Sequence, residues 1–152
     1  MISILGTGLL GSGFARALRK KGETVQVWNR TASRAKALEA DGCVAFADAA
    51  DAVRGASRVH VIVSDDRAVD SVLAAAKLER GAHVYDHTTT SVQGDRERSA
   101  TWRARGVTYL HAPLFMGAQN AADGTGLMLV SGDRQVIGAA TPVLSTMTGK
   151  LV

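Results

Sequence analysis

The chain has 152 residues, 46% hydrophobic and 21% charged, which suits one globular domain with a substantial core. It has no run of about 20 apolar residues to span a membrane, and with a strand read from residue 2 no signal peptide is expected; Cys43, the sole cysteine, excludes an internal disulfide framework and fits a cytoplasmic protein. The net charge of +4 is no nucleic-acid footprint, because the cations form no long tract and aromatics for base stacking are few; an anionic small molecule is the expected partner.

Ile2, Ile4 and Leu5 read as a short buried strand, and Phe14, Ala15 and Leu18 recur at helical spacing after a glycine-rich turn. Arg16, Arg19, Lys20 and Lys21 then meet the negative end of that helix dipole. Val25, Gln26 and Val27 mark a second strand ending at Trp28-Asn29, with Arg34 one turn into the next helix. Residues 44–46 read as a third strand, Asp48 as the cap of a brief helix ending at Gly55, and residues 58–64 as a fourth strand. Asp65 or Asp66 caps the next helix, with Val69, Val72 and Leu73 on its apolar face and Gly81 just past its end. Residues 83–87 form a fifth strand, about 91–105 a polar, arginine-rich helix, 107–113 a sixth strand, 126–132 a seventh, and about 133–147 a last helix. Lys150, Leu151 and Val152 read as the opening of a further strand. Strands normally run about five or six residues, so the chain is expected to be a piece of something longer. The alternation predicts a doubly wound α/β domain over 1–152, its mostly parallel sheet covered by helices on both faces.

The turn after the first strand is G-x-G-x-x-G, with Gly6, Gly8 and Gly11 at the strand-to-helix junction where a dinucleotide site belongs. Gly6 permits the tight exit from the strand, Gly8 lets backbone approach a pyrophosphate, and Gly11 lets the helix pack on the strand. The alternative is an ordinary glycine-rich turn. An NAD site usually carries Asp or Glu at the end of the second strand; here Asn29, Arg30 and Thr31 stand there. Arg30, with Arg34 as a second contact, suits a 2′-phosphate, so NADP(H) is expected ahead of NAD(H); a solvated surface arginine is the other reading. No metal site is expected. His83 and His87 are about 13 Å apart along a strand at roughly 3.3 Å per residue, and His60 and His111 lie in other strands. Satisfied structural histidines are the default.

Three stretches together resemble the β-hydroxyacid dehydrogenase family, which holds the 3-hydroxyisobutyrate and 6-phosphogluconate dehydrogenases and related imine reductases. They are "GTGLLGSGFARAL", similar to the family's cofactor turn; "YDHTTTS", similar to its Asp-x-Ser-Thr motif through Asp86, Thr88 and Thr89; and "APLFMGAQNAADGTGLMLVSGD", similar to its Ala-Pro-Val-Ser-Gly-Gly pattern. The resemblance implies that Gly6, Thr7, Gly8, Leu9, Leu10 and Gly11, with Asn29, Arg30 and Thr31, hold NADP. It implies that Val63, Ser64 and Asp65 line the nicotinamide-ribose side, that Thr89 touches the cofactor, and that Thr88, Met116 and Gly117 face the substrate. Thr88, Thr89 and Thr90 read alternatively as caps of the next helix. Phe115 and Met116 replace the family's Ser-Gly, and Asn120 replaces a glycine, which points to a substrate less polar than a short hydroxy acid, or to a ketone or imine.

The family's general acid/base lysine lies beyond its cofactor domain, and Lys150 does not match it, so the resemblance assigns no catalytic residue in 1–152. It implies an oxidoreductase moving a hydride between NADP and a hydroxy acid, carbonyl or imine, acting on a small molecule as a homodimer once the helical second domain is present. The isolated domain is expected to bind cofactor and turn over poorly or not at all. A non-catalytic NADP-binding sensing or interaction module is the alternative.

Overall fold

The computed structural model describes all 152 residues. In chain order the strands and helices are β1 (Ile2–Leu5), α1 (Leu9–Lys20), β2 (Val25–Trp28), α2 (Ala32–Ala37), β3 (Val44–Ala45), α3 (Ala49–Val53), β4 (Arg58–Val61), α4 (Asp66–Ala76) and β5 (His83–Asp86). They continue with α5 (Val92–Ala104), β6 (Thr108–His111), β7 (Leu114–Phe115), α6 (Ala118–Asp123), β8 (Leu127–Met128), α7 (Arg134–Leu144) and β9 (Lys150–Leu151). Six strands make one parallel sheet in the order β3-β2-β1-β4-β5-β6. The chain runs outward from β1 to β3, then crosses to β4 on β1's other side. Ligands of such sheets bind at the carboxyl ends of the strands where the order reverses, and here that point lies between β1 and β4.

Strands buried on both faces need apolar residues at nearly every position, and Ile2, Ile4 and Leu5 of β1 are completely buried. One face of the sheet packs Phe14, Ala15 and Leu18 of α1 against Ile4 and Val27, together with Ala121 of α6 and Leu144 of α7. The other packs Val69, Val72 and Leu73 of α4 and Trp102 of α5 against Leu5, Val59 and Val84. Phe14 is 1% exposed, so its burial contributes roughly 1.5–3 kcal/mol.

Several boundaries and one strand assignment need correcting. The run 126–132 is no seventh strand of the main sheet. Only Leu127–Met128 is extended, in a separate small sheet ordered β7-β8-β9, antiparallel to Leu114–Phe115 and parallel to Lys150–Leu151. Positive φ at Gly126 (+88°) and Gly132 (+140°) breaks the run at both ends. The sixth strand stops at His111, because the chain turns off through Pro113 to begin β7. Helix α6 falls within the third resemblance stretch, where no helix was expected. Gly117 donates its N–H to Asn120 Oδ1 at 3.0 Å to open α6, and Gly124 closes it at φ +68°. Helix α4 ends at Ala76 with Lys77 in the left-handed region (φ 49°), and Gly81 belongs to a later turn. Between Asp65 and Asp66, the cap is Asp65, whose carboxylate accepts the Ala68 N–H at 2.8 Å.

Candidate functional site

The three glycines divide by what surrounds them. Gly6 has φ +103°, and an added Cβ would lie 2.0 Å from the Ile62 carbonyl oxygen. A Cβ on Gly11 would lie 1.9 Å from the Gly6 carbonyl oxygen. Both are demanded by the fold. Gly8 is different: its φ of −68° is open to any residue, and a Cβ there would meet nothing within 4 Å. Neither backbone strain nor packing requires glycine at 8; within the chain its only advantage is as the N-cap of α1, and its bare backbone leaves room for an approaching ligand. Ser12 N–H bonds back to Gly8 O at 2.9 Å, while the N–H groups of Gly8, Leu10 and Gly11 have no partner in the chain. Open donors at the positive end of a 12-residue helix suit an anion such as a diphosphate.

The turn is held in shape by the end of β2. Asn29 Oδ1 accepts the Thr7 N–H at 2.9 Å, and Asn29 Nδ2 donates to Thr31 O at 3.0 Å. Gly6 N–H donates to Trp28 O at 2.8 Å. Beside the turn opens a cleft of about 970 Å³. Its floor comes from Gly6, Gly8, Leu9, Leu10 and Gly11. One wall holds Asn29, Arg30, Thr31 and Arg34, and the other runs through Val63, Ser64 and Asp65 into α4. Thus eleven of the thirteen expected cofactor residues gather round one cleft. Thr7 is turned inward, buried with its hydroxyl unpartnered, and Thr89 lies outside the cleft. Sequence reasoning missed Ile62, Arg67, Ala68, Ser71 and Val72 as cleft residues, and took Trp28 as a strand end and a reporter beside the site rather than as part of its lining. Positions 67, 68, 71 and 72 carry the i, i+1, i+4, i+5 spacing of one helix face, but only the tertiary fold turns that face to the cleft.

A family model described as the NAD binding domain of 6-phosphogluconate dehydrogenase matches residues 1–152. The chain belongs to that family. It is 33% identical over 138 residues to the cytokine-like nuclear factor N-PAC of Homo sapiens, covering 88% of this chain and 25% of that protein. It superposes on the 3-hydroxyisobutyrate dehydrogenase of Mycobacterium tuberculosis, solved with L-serine, with a TM-score of 0.88 and 31% identity over 99% of this chain and 53% of that one. An imine reductase from Myxococcus stipitatus in complex with NADP+ gives a TM-score of 0.92 and 25% identity, covering 100% of this chain and 54% of that one. The chain therefore spans a quarter of the first relative and about half of the other two.

The segment after β5 is fixed by a closed ring of hydrogen bonds. Thr88 is 2% exposed. Its Oγ1 accepts the Val63 N–H at 3.1 Å, its N–H donates to Asp86 Oδ1 at 2.9 Å, and its carbonyl accepts from His111 Nε2 at 2.9 Å. Asp86, fully buried, also accepts from Tyr109 OH at 2.6 Å, and that oxygen accepts Arg98 Nε–H at 3.2 Å. Arg98 donates to Asp66 at 2.6 Å and to Asp70 at 3.1 Å, and Asp66 accepts the Ser91 N–H at 2.9 Å, returning to the same segment. Burial pushes the Asp86 carboxyl up, and hydrogen bonds from Tyr109 and Thr88 pull the other way. Burial, with Asp86 alongside, holds the Tyr109 phenol well above its ordinary range. The helix cap here is Ser91, which accepts the Gly94 N–H at 3.0 Å, not a threonine. Thr88 thus anchors Val63, which lines the cleft, while its own hydroxyl stays behind the cleft wall. Of the other expected substrate contacts, Met116 is half-buried against Gly126, and Gly117 is exposed at the start of α6; neither lines the cleft.

Two histidines form a directional pair beneath this segment. His87 Nδ1 faces the Ala112 carbonyl at 2.8 Å, and a carbonyl only accepts, so Nδ1 carries the hydrogen. His87 Nε2 then accepts from His60 Nδ1–H at 2.9 Å, and His60 Nε2 accepts Arg58 Nε–H at 3.2 Å. Both rings are neutral. Burial drives the pKa of each down, that of His87 to about 4.

Proposed function

We propose that this chain is the NADP(H)-binding half of an oxidoreductase that transfers a hydride between the nicotinamide and the carbon of a hydroxy acid, carbonyl or imine. The observation that carries the reading is Gly8: glycine where the fold demands none, beside unpartnered N–H groups at a helix N-terminus. Leu9, Leu10 and the backbone from Gly8 to Gly11 would hold the diphosphate. Arg30 and Arg34 would meet the 2′-phosphate, and Val63, Ser64 and Asp65 would flank the nicotinamide ribose. The bound cofactor supplies the hydride chemistry; this chain's residues orient it. The cleft contains three arginines and Asp65 but no lysine, histidine or tyrosine. The reading therefore takes the substrate's proton donor from a part of the protein outside these 152 residues, together with the surfaces of a homodimer. Phe115, 60% exposed, lies outside this cleft; a substrate less polar than a short hydroxy acid rests on Phe115 and Met116 standing where the family has Ser-Gly. The buried, unpaired Cys43 suits a cytoplasmic setting.

The test is a pair of titrations, NADPH and NADH, read by Trp28 fluorescence in wild type and Arg30→Asp. Trp28 lines the cleft, with its Nε1–H held by Ala47 O at 3.1 Å. Tighter NADPH binding that Arg30→Asp abolishes supports the reading. If neither nucleotide binds, the dehydrogenase reading fails. A second reading, a non-catalytic NADP-binding sensing or interaction module, is favoured by the 33% identity to the cytokine-like nuclear factor N-PAC. It predicts NADPH binding without turnover of carbonyl or imine substrates by the longer protein.

A further inference from the structure

Three guanidinium groups face the cleft, and none has a carboxylate to answer it. Elsewhere three arginines pair with acids, Arg16 with Asp41, Arg54 with Asp51, and Arg98 with Asp66 and Asp70; what sets the cleft apart is that three unpaired arginines line one pocket. Arg30, Arg34 and Arg67 are all exposed along the same cleft and form no ion pair. The one acid of the cleft, Asp65, already accepts the Ala68 N–H as the cap of α4. Arg30 and Arg34 stand on the wall that follows β2. Arg67 stands on the wall that follows β4, across β1 from the others. Nothing in the sequence reading assigned Arg67 a role.

Resting on the nucleotide function above, we propose that Arg67 is a third specificity-determining residue for the 2′-phosphate, reaching it from the wall opposite Arg30 and Arg34. Helix α4 offers the cleft two stripes, apolar Ala68 and Val72, and polar Arg67 and Ser71. The apolar stripe suits a flat base, and the arginine beside it suits a charged group attached to that nucleoside. The diphosphate of the cofactor already has the open N–H groups of the glycine turn. Beside Arg30 the N–H groups of Ala32 and Ser33 at the start of α2 also lack a partner in the chain, and a phosphomonoester's two charges leave room for side-chain cations in addition to them. Three exposed cations along one cleft give it an excess of positive charge, which a dianion on the ribose would answer.

The test is calorimetric titration of the 152-residue chain with 2′,5′-ADP and with 5′-AMP, ligands that differ only in the 2′-phosphate. It compares wild type, Arg67→Met and Arg30→Met, with thermal melts confirming that each variant is folded. Arg67→Met is expected to weaken 2′,5′-ADP about tenfold, the scale of one charge-assisted hydrogen bond, while leaving 5′-AMP within about twofold. Raising the salt should shrink the difference. Equal weakening of both ligands makes Arg67 a contact to the adenosine and overturns the proposal; no weakening of either does the same. A 2′,5′-ADP preference that Arg30→Met abolishes and Arg67→Met leaves intact sinks only the assignment of Arg67. Wild type that binds neither ligand, or both equally, sinks the NADP reading with it.

Discussion

Replacing Gly8 with alanine separates a glycine kept for a ligand from glycines kept for the fold. At Gly8 the backbone conformation (φ −68°, ψ −162°) is ordinary for alanine, and the new Cβ meets nothing within 4 Å. Two small effects then oppose each other. Alanine restricts the unfolded chain, worth about 0.4–1 kcal/mol of stability, but it is a poorer helix N-cap than glycine by a similar amount. Net stability should change by less than about 1 kcal/mol, and the midpoint of a thermal melt by at most about 2–4 °C. At Gly6, in contrast, alanine must occupy φ +103° with its Cβ 2.0 Å from a backbone oxygen. Strain and overpacking together should cost about 2–6 kcal/mol. Cofactor binding should follow the reverse pattern at position 8, because the methyl projects where the diphosphate must come. Losing even one charge-assisted N–H contact costs about 1.5–3 kcal/mol, roughly ten- to a hundredfold in affinity. The assay is a thermal melt of each variant, paired with NADPH titration by calorimetry. A Gly8→Ala protein that melts like wild type but binds NADPH as tightly as wild type would refute the diphosphate cradle. One that melts as early as Gly6→Ala would refute the geometric reasoning itself.

The neutral His60–His87 pair makes the fold acid-sensitive. The folded pKa of His87, about 4, lies below its ordinary value of 6.5, so its contribution is full above pH 6.5 and is lost as pH falls towards 4. The loss is of the order of 3 kcal/mol, and His87→Gln should flatten urea midpoints measured across that range; an unchanged slope counts against the pair. Asp86, raised by burial, works in the opposite sense. Gly13→Ala should destabilise by about 1 kcal/mol despite alanine's better helix propensity. Its Cβ would sit 2.9 Å from Ala121 Cβ and 3.1 Å from Ala118 O, and overpacking outweighs a propensity gain of about 1 kcal/mol; a higher melting point in differential scanning calorimetry would contradict this. Tyr109→Phe leaves Asp86 and Arg98 each short of a partner. It should cost about 1–3 kcal/mol in chemical denaturation; a neutral result would mean that the ring of hydrogen bonds does not hold the Thr88 segment.

The sheet and the glycine turn were legible because their causes are local. A strand buried on both faces must be apolar at successive positions, as in Ile2-Ser3-Ile4-Leu5, and a helix that covers it must repeat its apolar residues, as Phe14, Ala15 and Leu18 do. Gly6 and Gly11 were legible for the same reason, since a turn so tight excludes a Cβ within a few residues of chain. Asp65, one of two acids offered as the cap of α4, follows the ordinary chemistry of helix caps, whereas the cap of α5 is Ser91 rather than one of the threonines before it.

What stayed hidden depends on residues far apart in sequence. The run Leu127 to Val130 is apolar in any sheet, and only its pairing with Leu114–Phe115 and Lys150–Leu151 put it in the small one. Nothing in the sequence says why Gly13 sits inside α1; α6 presses against it, so that a Cβ there would lie 2.9 Å from Ala121 Cβ. The histidines are spaced too far along the chain to suggest contact, yet adjacent parallel strands bring His60 and His87 to 2.9 Å. Thr88 was read as a hydroxyl facing a substrate; it lies buried, accepting from Val63 N–H. By itself, the sequence determined the strands and helices of the main sheet and where the backbone turns too tightly for a side chain, because those are short-range matters of sterics and periodicity; α6 and the small sheet were not among them. Only the tertiary structure decided which side chains share the cleft at the β1–β4 switch point, Arg67 with Arg30 among them, because packing brings together residues that no local pattern relates.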